Sequence, residues 1–220
     1  MQIFFLVLET VGVVSFAVSG AIAAIDKEID LFGVLFLSLS TAFGGGILRD
    51  VLIGRTPSFF GAYFHIAVAA VAALLVFLTA ALLKKRYVVR EALIGRINNY
   101  FDAVGLGIFA VTGAKTCMSA GHTSALVVIS LGMITGVGGG MVRDLCLKEI
   151  PFVLKKHVYA VAALAGATLY YVTFCVAHIP EYVALLLGVT AVVAIRMLAT
   201  HFKLNIPKAI VFEKEKGKKA

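Results

Sequence analysis

Apolar residues in this chain come in long unbroken runs, separated by short polar breaks such as Asp26-Lys27-Glu28, Gly54-Arg55-Thr56-Pro57 and Gly121-His122-Thr123. A helix needs about 20 mostly apolar residues to cross the roughly 30 Å hydrocarbon core of a bilayer. Seven runs reach that length, at about 3–25, 30–54, 59–83, 97–119, 123–147, 157–178 and 181–204. The pattern predicts an all-α integral membrane protein with seven transmembrane helices. The first run reads as a span and not as a cleaved leader. It has no basic start, it carries Glu9, and it exceeds the roughly 7–15 apolar residues of a signal peptide.

Composition sharpens this picture. Of 220 residues, 61% are hydrophobic and 15% charged, with a mean hydropathy of +1.01. A soluble domain is nearer to 45–50% apolar and about 25% charged. A water-soluble enzyme is therefore excluded, and seven spans leave no length for a separate soluble domain. No enzyme is expected: Gly44–Gly46 lacks the following GK[ST] of a phosphate-binding loop, and no nucleophile–base pair stands out. Cys117, Cys146 and Cys175 are scattered through apolar segments, as are the five histidines. Neither a disulfide framework nor a resident metal site or other cofactor is indicated.

The net charge of +8 lies at the ends of apolar runs and not in a polar patch, so nucleic acid is not an expected partner. Loops on the N-terminal side carry one basic residue, Arg55. Loops on the other side carry Lys27, Lys84, Lys85, Arg86, Arg90, Arg96, Lys148, Lys155 and Lys156, and the tail adds more. Basic loops stay in the cytoplasm. The N-terminus is therefore expected outside and the C-terminus inside, in a plasma (inner) membrane. The basic tail is expected to be solvated, with access to anionic lipid.

The chain also repeats itself. Phe16-Ala17-Val18-Ser19-Gly20-Ala21 matches Phe109-Ala110-Val111-Thr112-Gly113-Ala114, 93 residues on. Gly44-Gly45-Gly46-Ile47-Leu48-Arg49-Asp50 matches Gly138-Gly139-Gly140-Met141-Val142-Arg143-Asp144, 94 residues on, and each copy is followed by a proline (Pro57, Pro151). Three spans per copy invert the second copy relative to the first. The expected organisation is a first three-helix repeat (1–90), an inverted second repeat (91–179), a seventh helix (180–206) and a cytoplasmic tail (207–220). Many transport proteins share such an inverted repeat and place their sites near the midplane on broken helices.

The GGGxxRD segments carry the candidate chemistry. Each glycine weakens a helix by about 1 kcal/mol relative to alanine. One face of glycine would suffice for close packing. Three in a row are read as a kink or break in each helix that exposes carbonyls. Arg and Asp within spans face protein or water. The two Arg-Asp pairs should bracket a glycine-lined neck, roughly 15 Å apart. Neighbours on a helix diverge by about 100°, so Arg49–Asp50 and Arg143–Asp144 are not expected to pair internally. Depth matches suggest Glu9 with Arg49 and Asp102 with Arg143, leaving Asp50 and Asp144 to face a cation. Lys115 lies near the outer end of its span, where snorkelling and a voltage-related role are the two readings. Arg196 reads as a snorkelling anchor.

Two GGGxxRD motifs in seven spans with this repeat resemble the prokaryotic branch of the trimeric intracellular cation (TRIC) channels, sequences also labelled UPF0126 or glycine transporter domain. The resemblance spans the first six helices. It implies a potassium-permeable channel, with Na+ a further permeant ion, built as a homotrimer with one pore in each protomer. It assigns pore-lining roles to Gly44, Gly45, Gly46, Arg49 and Asp50, and to Gly138, Gly139, Gly140, Arg143 and Asp144. Glu9 and Asp102 are supporting charges, and Lys115 is the voltage-related candidate. Membrane lipids are the other expected partners. Trimer contacts are expected through the small residues of the first and fourth spans (Gly12, Gly20, Gly105, Gly107, Gly113). The alternative is a secondary transporter of glycine or another small zwitterion, because a broken helix offers N–H groups to a carboxylate and carbonyls to a cation.

Overall fold

The structure is a computed structural model and describes residues 2–83, 91–155 and 158–204. The expected basic loop 84–90 and the tail 207–220 lie outside the described residues. Seven long helices follow one another: α1 (Gln2–Ile25), α2 (Leu31–Leu52), α3 (Tyr63–Leu82), α4 (Glu91–Ser119), α5 (Ala125–Cys146), α6 (Val158–Tyr171, extended by a π turn at Val172–Val176) and α7 (Glu181–His201). Each of the seven is long and apolar enough to cross a membrane. A short 3-10 turn (Ser58–Gly61) follows α2, and a one-turn helix (Phe152–Lys155) follows α5.

Local chemistry sets the helix ends. The Asp30 carboxylate accepts from the Gly33 N–H at 2.8 Å and caps α2, satisfying an otherwise orphaned donor. After α2 the chain turns through Gly54 at φ +69°, and after α5 through Lys148 at φ +56°. These positions are equivalent in the repeat, yet only the first is glycine, the residue that adopts this left-handed turn without steric cost. Helix α4 starts at Glu91, before the expected position near 97, and its N-terminal third is tied to α7. Asn99 there donates to Thr200 Oγ1 at 3.2 Å and accepts from Arg196 at 3.0 Å.

The inverted repeat is visible in reciprocal contacts. A methyl placed on Gly45 would overlap the Thr135 carbonyl oxygen, and one on Gly139 would overlap the Thr41 carbonyl oxygen. These are the same contact with the two repeats exchanged, so a pseudo-twofold axis runs through the α2–α5 crossing. Phe16 and Phe109, themselves equivalent, meet near that axis with ring centroids 5.2 Å apart. Helix α4 is the most enclosed span and α3 the least. The latter leaves Val71, Leu74, Leu75 and Leu78 on the surface, as a lipid-facing helix does.

Two expectations are corrected here. Helical hydrogen bonding runs without interruption through Gly44–Gly46 and Gly138–Gly140, so neither helix is broken. The glycines bring two backbones together: the Gly138 Cβ position lies 2.8 Å from the Gly45 Cα. Nor are the glycines of α1 and α4 available for trimer contacts. Gly12 packs on Ile108, Gly20 on Thr41 and Ser38, Gly105 on Phe16, Gly107 on Val189 and Val192, and Gly113 on Thr135, all within one chain.

Candidate functional site

Both GGGxxRD helices carry an Arg-Asp dipeptide in their last turn, and the fold sends these ends to opposite faces. The α5 end lies in a buried cluster at the face away from the N-terminus. Arg143 donates from Nε to Asp144 Oδ1 at 2.9 Å, and from Nη1 to Asp102 Oδ1 at 2.9 Å and to Ser19 Oγ at 2.6 Å. Tyr159 donates to the same Asp102 oxygen at 3.3 Å. Arg196 lies 3.6 Å from Asp102 Oδ2, with its guanidinium 4.6 Å over the Tyr159 ring. Arg143, Asp102 and Arg196 are at most 2% exposed. Two arginines balance two aspartates, which makes so complete a burial tolerable.

The α2 end repeats half of this arrangement. Arg49 bonds Asp50 Oδ1 from Nε at 2.8 Å and from Nη2 at 2.7 Å. The second carboxylate oxygen reaches into the following loop. Asp50 Oδ2 accepts from the Ser58 N–H at 2.8 Å and its hydroxyl at 2.9 Å. Asp144 Oδ2 accepts from the equivalent N–H, Phe152, at 2.7 Å. Each aspartate thus ties a helix end to the short helical turn after it.

The expected Asp102–Arg143 pair is present. Several other expectations are corrected. Each Arg pairs with the adjacent Asp, because a long guanidinium arm can fold back across the divergence of neighbouring side chains. Asp50 and Asp144 are consequently engaged at both oxygens and not left to a cation. Glu9 makes no ion pair with Arg49 among the described residues. Arg196 is buried in the Asp102 cluster and does not snorkel. Lys115 lies 3.3 Å from Glu181 and 3.3 Å above the Phe5 ring, so its ammonium is paired and not simply extended to solvent.

Two cavities open at opposite ends of the α2–α5 pair. One, of about 140 Å³, is lined by Glu9, Ala42, Gly46, Arg49, Ser58 and His65, among others. The other, of about 950 Å³, is lined by Asp26, Lys27, Asn98, Arg143, Asp144 and Glu149, among others. The Lys27–Glu149 ion pair, at 2.5 Å, links the α1–α2 turn to the loop after α5 at this second cavity. Of the expected pore residues, Gly46, Arg49, Arg143 and Asp144 line these cavities. Gly45, Gly138 and Gly139 form the crossing between them. A methyl on Gly44 would lie 3.2 Å from Val142, and one on Gly140 would lie 2.8 Å from the Tyr159 hydroxyl. Sequence reasoning overlooked Ser19, Ser58, His65 and Tyr159. The repeat held one clue: His65 and Tyr159 are equivalent at 94 residues, each a polar group in an apolar span.

A family model described as Glycine transporter matches residues 6–81 and 99–175, one segment per repeat. The chain belongs to this family. The UPF0126 membrane protein YvgT of Bacillus subtilis is 42% identical over 163 residues, 72% of this chain and 76% of its own length. Among solved structures, a TRIC cation channel is 35% identical and superposes with a TM-score of 0.81, over 94% of this chain and 97% of its own. The trimeric intracellular cation channel orthologue from Rhodobacter sphaeroides is 32% identical with a TM-score of 0.80, over 91% and 98%. The family is thus that of the prokaryotic TRIC channels, and its inverted-repeat fold is the one described above.

Proposed function

We propose that this protein is a potassium-permeable channel for monovalent cations, with Na+ a further permeant ion. It acts as a homotrimer in which each protomer conducts along α2 and α5. The observation that carries this reading is the pair of cavities entering α2–α5 from opposite faces, each ending on a buried Arg-Asp cluster, in a chain whose solved relatives are named as cation channels. In this reading ions pass from one cavity to the other beside the glycine crossing, where the Gly44–Gly46 and Gly138–Gly140 segments leave little side-chain bulk. Arg49 and Arg143, held by Asp50 and Asp144, stand at the two ends of that neck and set its electrostatics. The small cavity faces outside and the large one the cytoplasm of a plasma membrane, following the loop charges. Trimer contacts are formed by apolar side chains that lie exposed on the outside of the single protomer.

A carrier for glycine is the weaker reading. It rested on helices broken at the glycines, and both helices are continuous. Purified protein in planar bilayers with symmetric KCl decides between them. A channel gives unitary current steps. Saturable glycine counterflow without such steps contradicts the proposal.

A further inference from the structure

The two charged clusters are related by the repeat but differ in charge. Around α5, Asp102 and Asp144 are balanced by Arg143 and Arg196. Arg196 comes from α7, which lies outside the repeat, so the α2 end has no counterpart to it. There Asp50 is balanced by Arg49, but Glu9, the equivalent of Asp102, has no ion-pair partner within 4 Å among the described residues. Where the α5 cluster has Tyr159, the α2 cavity has His65. Its Nε2 lies 3.4 Å from Thr10 Oγ1, one residue along from Glu9, and Glu9 and His65 line the same cavity. With Glu9 ionised, the α2 end carries one net negative charge when His65 is neutral and none when it is protonated.

We propose that the small cavity binds one monovalent cation on the Glu9 carboxylate, and that protonation of His65 displaces it. This deepens the channel reading and rests on it for the effect on current. The charged groups around His65 are few. Helix α1 offers Glu9, α2 offers Arg49 and Asp50, and the 3-10 turn offers only the neutral Ser58. Lys115 of α4 reaches Glu9 from a separate cavity but is paired with Glu181, so it leaves the sum unchanged. Arg49 is held by Asp50 and makes no ion pair with the Glu9 carboxylate. Histidine is the side chain whose charge ordinarily changes between about pH 5 and 8. Cation and proton are coupled reciprocally: each lowers the affinity for the other.

The test has two arms on the full-length protein. The first follows the His65 ring by NMR in nanodiscs, assigned with His65→Gln, with K+ exchanged for N-methylglucamine at constant ionic strength. The His65 ring should need a more acidic solution to protonate in K+ than in N-methylglucamine, and Glu9→Gln should remove that dependence. The second records unitary KCl currents as pH on the N-terminal face is stepped from about 8 to about 5.5, across the histidine range. Conductance should fall about twofold or more, as expected when a cation-attracting charge is neutralised. Acidifying the other face should leave it unchanged. His65→Tyr, which copies the second repeat, should abolish the response to pH. Glu9→Gln should hold conductance at the low-pH level throughout. An identical His65 titration in K+ and N-methylglucamine overturns the proposal even if the protein conducts. A K+-dependent titration without unitary current leaves the site standing and refutes the channel reading instead.

Discussion

Replacing Gly45 with alanine separates the two physical readings of the glycine triplets. If the triplet were a hinge, the three glycines would be roughly interchangeable and alanine would stiffen the helix at each. The structure distinguishes them. A methyl at Gly45 overlaps the Thr135 carbonyl oxygen, and one at Gly139 overlaps that of Thr41, both backbone atoms that cannot rotate aside. At Gly46 the nearest group is the Arg49 Nη2 at 3.8 Å, an ordinary contact with a flexible tip. Overpacking costs about 1–3 kcal/mol, and a clash with backbone belongs at the upper end. Alanine returns about 1 kcal/mol of helix propensity. The net loss at Gly45 or Gly139 is therefore about 2 kcal/mol. For a chain of this size that lowers Tm by about 4–8 °C. Gly46→Ala should match the parent or gain slightly. Thermal unfolding in mild detergent, followed by intrinsic fluorescence or light scattering, reads the difference. Equal shifts for the three variants, or a stable Gly45→Ala, would refute the close-crossing account.

Asp144→Asn should destabilise the protein by about 3–5 kcal/mol, because it removes one of the two carboxylates that balance the buried Arg143 and Arg196; unfolding in detergent checks this, and undiminished stability would return Asp144 to a purely ion-contacting role. Arg196→Leu should cost a similar amount, while a snorkelling residue would cost almost nothing, so the same assay separates the two. Lys148→Gly should raise stability by about 1 kcal/mol, since only this turn of the repeated pair holds a side chain at positive φ. Lys27→Ala should change stability by less than about 1 kcal/mol, because its pair with Glu149 is partly solvated.

The spans and the inverted repeat were legible because both depend on residue type and spacing alone. The Asp102–Arg143 pair was legible for the same reason: depth along two helices can be counted. The partners of Asp50 and Asp144 were not. Counting Cβ directions ignores how far a guanidinium can fold back, and it says nothing of loop N–H groups eight residues on. Arg196 was misread because α7 is apolar all round, and such a helix does not reveal which side meets α4. The glycines were ambiguous because break and crossing differ only in what lies opposite, and Thr41 and Thr135 enter through their carbonyls, which the sequence pattern does not mark.

The central claim is that ions travel through the two cavities on α2 and α5 within each protomer. Cysteine-scanning during single-channel recording tests it most directly, in a background with Cys117, Cys146 and Cys175 replaced. A charged methanethiosulfonate reagent should reduce the unitary current at Ala42→Cys or Ile47→Cys from the N-terminal face, and at Ala81→Cys or Leu147→Cys from the other, all positions lining the cavities. Val71→Cys, on the exposed surface of α3, should be insensitive. Unmodified current at the four cavity positions, with block at Val71→Cys, would place conduction outside α2 and α5 and contradict the account.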